Sequence, residues 1–297
     1  MKMSRVKKII VAWIVLFNML SYGSQDIDQH KDMPSLVQPN WLKKHLDDPK
    51  LVIIDVRKST LYKKGHLRHA VNLPTFKKLF DEKLFMPKLD ILKETFGKAG
   101  IDDNSLVVIY DNGDFIWAAR CYWLLEVLGH QNVGLLTNSY EALKNQGFTL
   151  SSDDFIPTSR NFIPMINNTM IETKLSTLLS IDKKTIIDGR PKEYYDGIKS
   201  SAKRFGHIKS ALSYPGSGNS KKTTTGSYIL EIDKLAKLYQ HLNKAKPIIL
   251  YCMDGADAAM NYIILKQLGY KASVYEAGWL EWGNDTTLPI ETPKGSI

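Results

Sequence analysis

Cysteine is scarce in this chain of 297 residues: only Cys121 and Cys252 occur. Two thiols cannot form a cysteine-rich metal site or a disulfide framework, and each lies in a segment with its own local role. Spacing alone would still allow a bond between them. The seven histidines, His30, His45, His66, His69, His130, His207 and His241, are scattered. None pairs at close helical spacing with a carboxylate, so the pattern of a zinc centre is missing and no metal is expected. Also lacking is a concentrated basic patch interleaved with stacking aromatics, despite a net charge of +9. The lysines sit among acidic residues and read as a solvated surface, with no nucleic acid as partner.

The length suits two cores of ordinary size. Before them, Lys2, Arg5, Lys7 and Lys8 precede an apolar run from Ile9 to Leu20, broken only by Asn18, and a small-residue patch at Ser21 to Ser24. That order predicts an export signal over residues 1–24, cleaved near Gly23 or Ser24. Its removal would take the charge from +9 to +5. The alternative is a membrane anchor at residues 9–20, although twelve residues are short for a hydrocarbon layer of about 30 Å. No cysteine near the cleavage point is available for lipid modification.

The rest of the chain repeats itself. LVIIDVRKSTLYKKGHLRHAVNLP, Leu51 to Pro74, matches TIIDGRPKEYYDGIKSSAKRFGHIKSALSYP, Thr185 to Pro215. Each has an apolar strand ending in Asp-x-Arg, a polar segment with tyrosine, Gly-His, then a short apolar stretch closed by proline. A second pair, Ser105 to Leu136 and Pro247 to Gly278, gives strand, loop, helix, a Leu-Gly-aromatic stop and another strand. Short apolar strands without clean alternation predict sheets covered on both faces. The expected organisation is tandem α/β domains over 25–150 and 166–297, with a linker at 151–165 where prolines and polar residues interrupt both periodicities. Within the second copy, Gly216 to Ser227 reads as a flexible surface loop near the cleft between domains.

In open parallel sheets, ligands gather beyond the carboxyl ends of the strands. Cys252 lies there, after the predicted strand Pro247 to Tyr251 and before a helix expected to start near Asp257 or Ala258. Amides of residues 253–257 converging on the sulfur, together with the helix end, would favour a thiolate nucleophile. Cys121, inside the predicted helix Ala118 to Leu128, reads as packing. The first copy carries Asp111 where the second carries Cys252, which leaves one competent site and one inactive copy. Other thiol chemistries lack a residue each. A Cys-x5-Arg phosphatase would need arginine where Ala258 stands, and thioredoxin-like exchange a second cysteine where Gly255 stands. Transfer of a group held on one thiolate remains, sulfur above all.

These residues resemble the tandem-domain rhodanese family of sulfurtransferases, from about Leu36 to about Gly283. The resemblance rests on Asp55-Val56-Arg57 with Gly65-His66, Ala118-Ala119-Arg120 with Gly129-His130, Asp188-Gly189-Arg190 with Gly206-His207, the Cys252 loop, and the closing Tyr275 to Gly283. It implies two rhodanese-like domains, each a mostly parallel central sheet flanked by helices. It also implies a Cys252 persulfide that moves sulfane sulfur from a small donor such as thiosulfate or 3-mercaptopyruvate to cyanide or a thiol, including a thiol-bearing protein, without a cofactor. The implied substrate loop is Met253, Asp254, Gly255, Ala256 and Asp257. Arg190 is either a scaffold residue or a substrate contact. Tyr194 stands where family members bring an anion-binding arginine, and Arg204 is the candidate replacement. The loop has two carboxylates and no base, with Asp257 as a candidate helix cap, so the donor stays open. An exported, bacterial periplasmic setting is expected. The alternative function is a non-catalytic rhodanese-like binding or redox protein of the cell envelope.

Overall fold

The computed structural model describes residues 33–292; the predicted export signal and the candidate anchor lie outside them. The first copy runs β1 (Leu36–Val37), α1 (Pro39–His45), β2 (Leu51–Asp55), α2 (Ser59–Tyr62), β3 (His66–Leu67), β4 (Ala70–Asn72), α3 (Thr75–Lys78), α4 (Leu89–Lys98), β5 (Leu106–Tyr110), α5 (Ile116–Val127), β6 (Val133–Leu136), α6 (Tyr140–Asn145) and β7 (Leu150–Ser151). The second runs β8 (Ile171–Glu172), α7 (Lys174–Ser180), β9 (Thr185–Asp188), α8 (Lys192–Tyr195), β10 (His207–Ile208), β11 (Leu212–Ser213), β12 (Ser220–Thr223), β13 (Gly226–Ile229), α9 (Ile232–Tyr239), β14 (Ile248–Tyr251), α10 (Ala256–Gln267), β15 (Ala272–Tyr275), α11 (Gly278–Trp282) and β16 (Ile290–Glu291).

Each copy builds a five-stranded sheet, in the orders β1-β6-β5-β2-β4 and β8-β15-β14-β9-β11. Every ladder within the two sheets is parallel. The central strands LVVIY and IILY are buried along their whole length, as expected of strands covered on both faces.

The repeated motifs prove to be one fastening used twice. Arg57 grips Asp55 through Nε and Nη2, with Nη2 to Oδ2 at 2.6 Å, and also donates to the Gly65 carbonyl at 2.7 Å. Arg190 does the same with Asp188 and the Gly206 carbonyl, at the same 2.6 and 2.7 Å. His66 stacks on Tyr62 and bonds its carbonyl, and His207 repeats this with Tyr195. Tyr110 and Tyr251, at the ends of β5 and β14, add a hydroxyl donor to the same carboxylates. Each aspartate is thus fully buried but bonded to a cation and a phenol, which removes most of the cost of burying the charge.

The copies share a core. Helix α5 is buried around nearly its whole circumference, and Ala118, Tyr122 and Leu125 belong to one apolar cluster with Ala258, Tyr262 and Leu265 of α10. Between the helices the Glu126 carboxylate accepts from Tyr122 at 2.7 Å, Tyr262 at 3.1 Å and Lys266 at 2.8 Å. The segment read as a flexible loop, 216–227, is instead a short turn and the β12-β13 hairpin. The hairpin docks on the first copy through Ile229 N-H to the Thr137 carbonyl, Ser139 N-H to the Ser227 carbonyl and Asn145 to the Thr225 carbonyl. Its partners lie some eighty residues earlier, which explains why its polar composition looked unpartnered.

Candidate active site

Parallel pairing of β14 with β9 sets Tyr251 beside Asp188, so Cys252 is the first residue beyond the carboxyl edge of the sheet. There the chain turns back. Gly255 takes a left-handed conformation at φ +90° and immediately precedes α10, a backbone geometry that glycine adopts at little cost. Helix α10 therefore begins at Ala256, one to two residues earlier than the sequence suggested. The other wall is α11, whose Trp279 N-H donates to the Cys252 carbonyl at 2.8 Å.

The turn aims amides at sulfur. The Gly255 N-H reaches Cys252 Sγ at 3.1 Å, and the amides of Ala258 and Asp254 also favour its anion. Opposing them, burial pushes the thiol up, and the carboxylates of Asp254 and Asp257 push it further. Burial and the two acids prevail, so resting Cys252 is a thiol; its S-H faces Asp254 Oδ1 at 3.9 Å. The side chain is fully covered, and neither cysteine is in a disulfide.

Asp257 does not cap α10; it is the second residue of the helix, and the cap position is Gly255. Its carboxyl is pushed up to about 7 by burial and by the neighbouring Asp254, Asp188 and Asp114. Asp114 belongs to the first copy, so the acidic surroundings of the cysteine loop extend across the domain boundary. The Asp254 carboxylate accepts from the Ala256 N-H at 3.4 Å. Met253 and Asp254 are half-buried, while Gly255 and Ala256 are buried.

The structure separates the other residues named from sequence. Arg204 is not free for an anion: its guanidinium donates to the carbonyls of Leu288 and Trp282 at 2.7 Å each and Gly283 at 3.4 Å. Those acceptors are about eighty residues downstream, beyond what inspection of the local motif could reveal. Arg190 is fully buried in its clamp and packs on the Trp279 ring at 4.4 Å, so it braces the loop wall as scaffold. Tyr194 lies in α8, half-buried. Sequence reasoning named no role for Tyr251 and read Arg120 only as part of a helix motif. The matching strand-end tyrosines in both copies were the available signal for the first.

In the first copy the nest holds its own anion. Asp111 Oδ1 accepts the Gly113 N-H at 2.7 Å and Oδ2 the Ala118 N-H at 3.4 Å. Burial pushes this carboxyl up to about 6 against the pull of the loop amides. A cavity of about 630 Å³ adjoins it, lined in part by Phe76, Trp117, Lys58 and Lys77. With a carboxylate in place of sulfur, this nest holds no thiol; the copy's cysteine, Cys121, is buried within α5.

The rhodanese-like domain profile matches residues 38–146 and 172–285. The thiosulfate sulfurtransferase of Corynebacterium glutamicum is 29% identical over 280 residues, covering 88% of this chain and 91% of its own. The sulfur carrier protein TtuD of Thermus thermophilus is 27% identical over 278 residues, covering 86% and 95%. Among solved structures, SseA of Escherichia coli, described as a 3-mercaptopyruvate sulfotransferase, superposes with a TM-score of 0.74 at 23% identity, covering 83% of this chain and 99% of its own. That last likeness concerns the fold. Because the family profile matches both copies, which together make up most of the sequence, the chain belongs to the rhodanese family and is a tandem-domain, rhodanese-like sulfurtransferase.

Proposed function

We propose that the chain carries sulfane sulfur on Cys252. The observation behind this reading is the ring of amides around Sγ, where the first copy lodges a carboxylate. A nest that accommodates an anion in one copy suits a thiolate, and then a persulfide, in the other. Loss of the thiol proton to solvent as the loop opens yields the nucleophile, whose charge the loop amides favour. The thiolate attacks the sulfane sulfur of thiosulfate or the thiol sulfur of 3-mercaptopyruvate, the Sγ-S bond forms, and the donor's S-S or C-S bond to that sulfur breaks. The remainder leaves with the bonding pair, as sulfite from thiosulfate or as the enolate of pyruvate from 3-mercaptopyruvate. Cyanide or a thiolate acceptor then attacks the outer sulfur, and the Cys252 thiolate departs. Since Cys252 is fully covered, each half-reaction requires a local opening of the loop.

The surrounding carboxylates, Asp254, Asp257 and Asp114, disfavour a dianionic donor relative to a neutral persulfide or polysulfide. Intact-mass measurement after incubation with thiosulfate, 3-mercaptopyruvate and a small organic polysulfide tests the reading. A gain of one sulfur atom, absent in Cys252→Ser, is expected; a folded chain that takes up none from any donor refutes it. A second reading, a non-catalytic binding or redox protein, draws on the raised thiol and acidic loop. Persulfide turnover to a thiol acceptor would exclude it.

The same reading puts the mature chain in an exported compartment, on the strength of the basic, apolar and small order of residues 2–24. No helix among the described residues is long and apolar enough to cross a membrane. Fractionation with N-terminal sequencing of the recovered protein separates a periplasmic product cleaved near Ser24 from an uncleaved, membrane-held one. Recovery of an uncleaved chain in the cytoplasm would overturn the export reading.

A further inference from the structure

Arg120 belongs to the first copy, yet its guanidinium lies against the cysteine loop of the second. The residue is wholly buried, and its Nη2 pairs with Glu276 at 2.5 Å, just beyond β15. Its Nε and Nη1 have no hydrogen-bond partner. Nη1 lies 2.7 Å from where a Cβ on Gly255 would sit, and Glu276 borders the same point at 3.3 Å. Gly255 is the residue whose amide reaches Sγ. Phe80 and Trp123 close the other side of the guanidinium, at 4.6 and 5.1 Å from its carbon. Leaving two donors of a buried cation unmatched is costly, and packing alone would be met better by an apolar side chain.

We propose that Arg120 is a positioning residue for Cys252: it backs Gly255, holds Glu276, keeps the loop amide on sulfur and favours the anionic forms of that sulfur. This rests on the reading of Cys252 as a sulfur carrier. The charged groups around the loop are Asp254 and Asp257 within it, Glu276 after β15, Asp188 with Arg190 at the end of β9, and Asp114 and Arg120 from the first copy. Arg120 is therefore the cation set against this acidic group from across the domain boundary, and domain docking becomes a condition of thiol reactivity.

The test follows the pH dependence of Cys252 alkylation by iodoacetamide, quantified at the Cys252 peptide, in full-length Arg120→Met, Arg120→Lys and Glu276→Gln. Arg120→Met should slow alkylation near neutral pH by about tenfold or more and move the profile up by roughly a unit. Arg120→Lys should restore most of the rate, and Glu276→Gln should move the profile down. A folded Arg120→Met chain with the profile of the unaltered protein overturns the proposal. If that variant does not fold, an unshifted Glu276→Gln profile overturns it instead. Sulfur loading of the unaltered chain, read by mass, is a separate measurement: its failure counts against the carrier reading, while the alkylation profiles still decide the role of Arg120.

Discussion

Replacing Asp254 by Asn should make Cys252 more reactive. The carboxylate Oδ1 lies 3.9 Å from Sγ, and Asn keeps an oxygen able to accept the Ala256 N-H. At that separation two unit charges repel by about 1 kcal/mol in a water-like medium and by about 4 kcal/mol at an effective dielectric of 20. Asp254 is half-buried, so a value of about 2 kcal/mol is appropriate, equivalent to a fall of roughly 1.5 units in the thiol pKa. While most of the population is still protonated, this raises the thiolate fraction about thirtyfold. The iodoacetamide profile of Cys252 should shift down accordingly, and the rate of sulfur loading from thiosulfate should rise further because an anionic donor meets one less charge. Asp257→Asn should act in the same direction but only above about pH 7, since below that the Asp257 carboxyl, pushed up to about 7, already carries its proton. A folded Asp254→Asn chain with an unchanged profile would refute the electrostatic account of the loop.

Asp111→Asn should flatten the pH dependence of stability between about pH 4 and 6. A buried carboxyl raised to about 6 contributes stability that is present below its unfolded pKa and lost as pH rises through the folded one, so the variant should gain at pH 8, by no more than about 3 kcal/mol. Denaturant titration at several pH values checks this, and a variant that loses stability at pH 8 contradicts it. Glu126→Ala removes the acceptor shared by Tyr122, Tyr262 and Lys266 and should cost about 3 kcal/mol in the same assay; a loss below 1 kcal/mol would mean the link between the helices is not structural. Arg204→Met should lower stability by about 1–3 kcal/mol and leave Cys252 alkylation unchanged, whereas a selective loss of thiosulfate turnover would return Arg204 to the substrate site.

What could be read from the sequence was what both copies do in the same way. Asp55, Arg57, Gly65 and His66 have counterparts in Asp188, Arg190, Gly206 and His207 because each set closes the same local clamp, and a local clamp leaves a local pattern. The position of Cys252 was legible for the same reason: a strand end, a turn and a helix start follow one another in the chain. Contacts between copies left no such trace. Arg120, Glu126 and the β12-β13 hairpin all find partners eighty or more residues away, and a buried arginine in an apolar helix carries no sign of which carboxylate it will meet. The charge state of the thiol was only half legible, because the loop amides and the two carboxylates can be read from the sequence order but the burial that tips the balance cannot.

The difference between the copies extends beyond one side chain, and this bears on whether the first could be made to carry sulfur. Four residues, 112–115, separate Asp111 from α5, whereas three, 253–255, separate Cys252 from α10. The longer loop forces Phe115, a bulky residue, into the left-handed conformation at φ +59° that Gly255 adopts in the second copy. Gly113 is closed in by the hairpin, since a Cβ there would lie 2.6 Å from Ser227 Oγ. Cross-domain support is also one-sided: Arg120 of the first copy backs the second loop, while the second copy answers with the neutral hydroxyl of Ser227. A thiol placed at position 111 would therefore have the amides, and Lys58 and Lys77 along the adjoining cavity, but Ser227 where Cys252 has Arg120 behind its loop, and a loop pinned against opening by the docked hairpin. Asp111→Cys combined with Cys252→Ser is expected to remain free of sulfur under conditions that load the unaltered chain. Peptide mass spectrometry after donor treatment reads the result. A one-sulfur gain at position 111 would show that the amide nest alone suffices, and that neither Arg120 nor the freedom of the loop is needed.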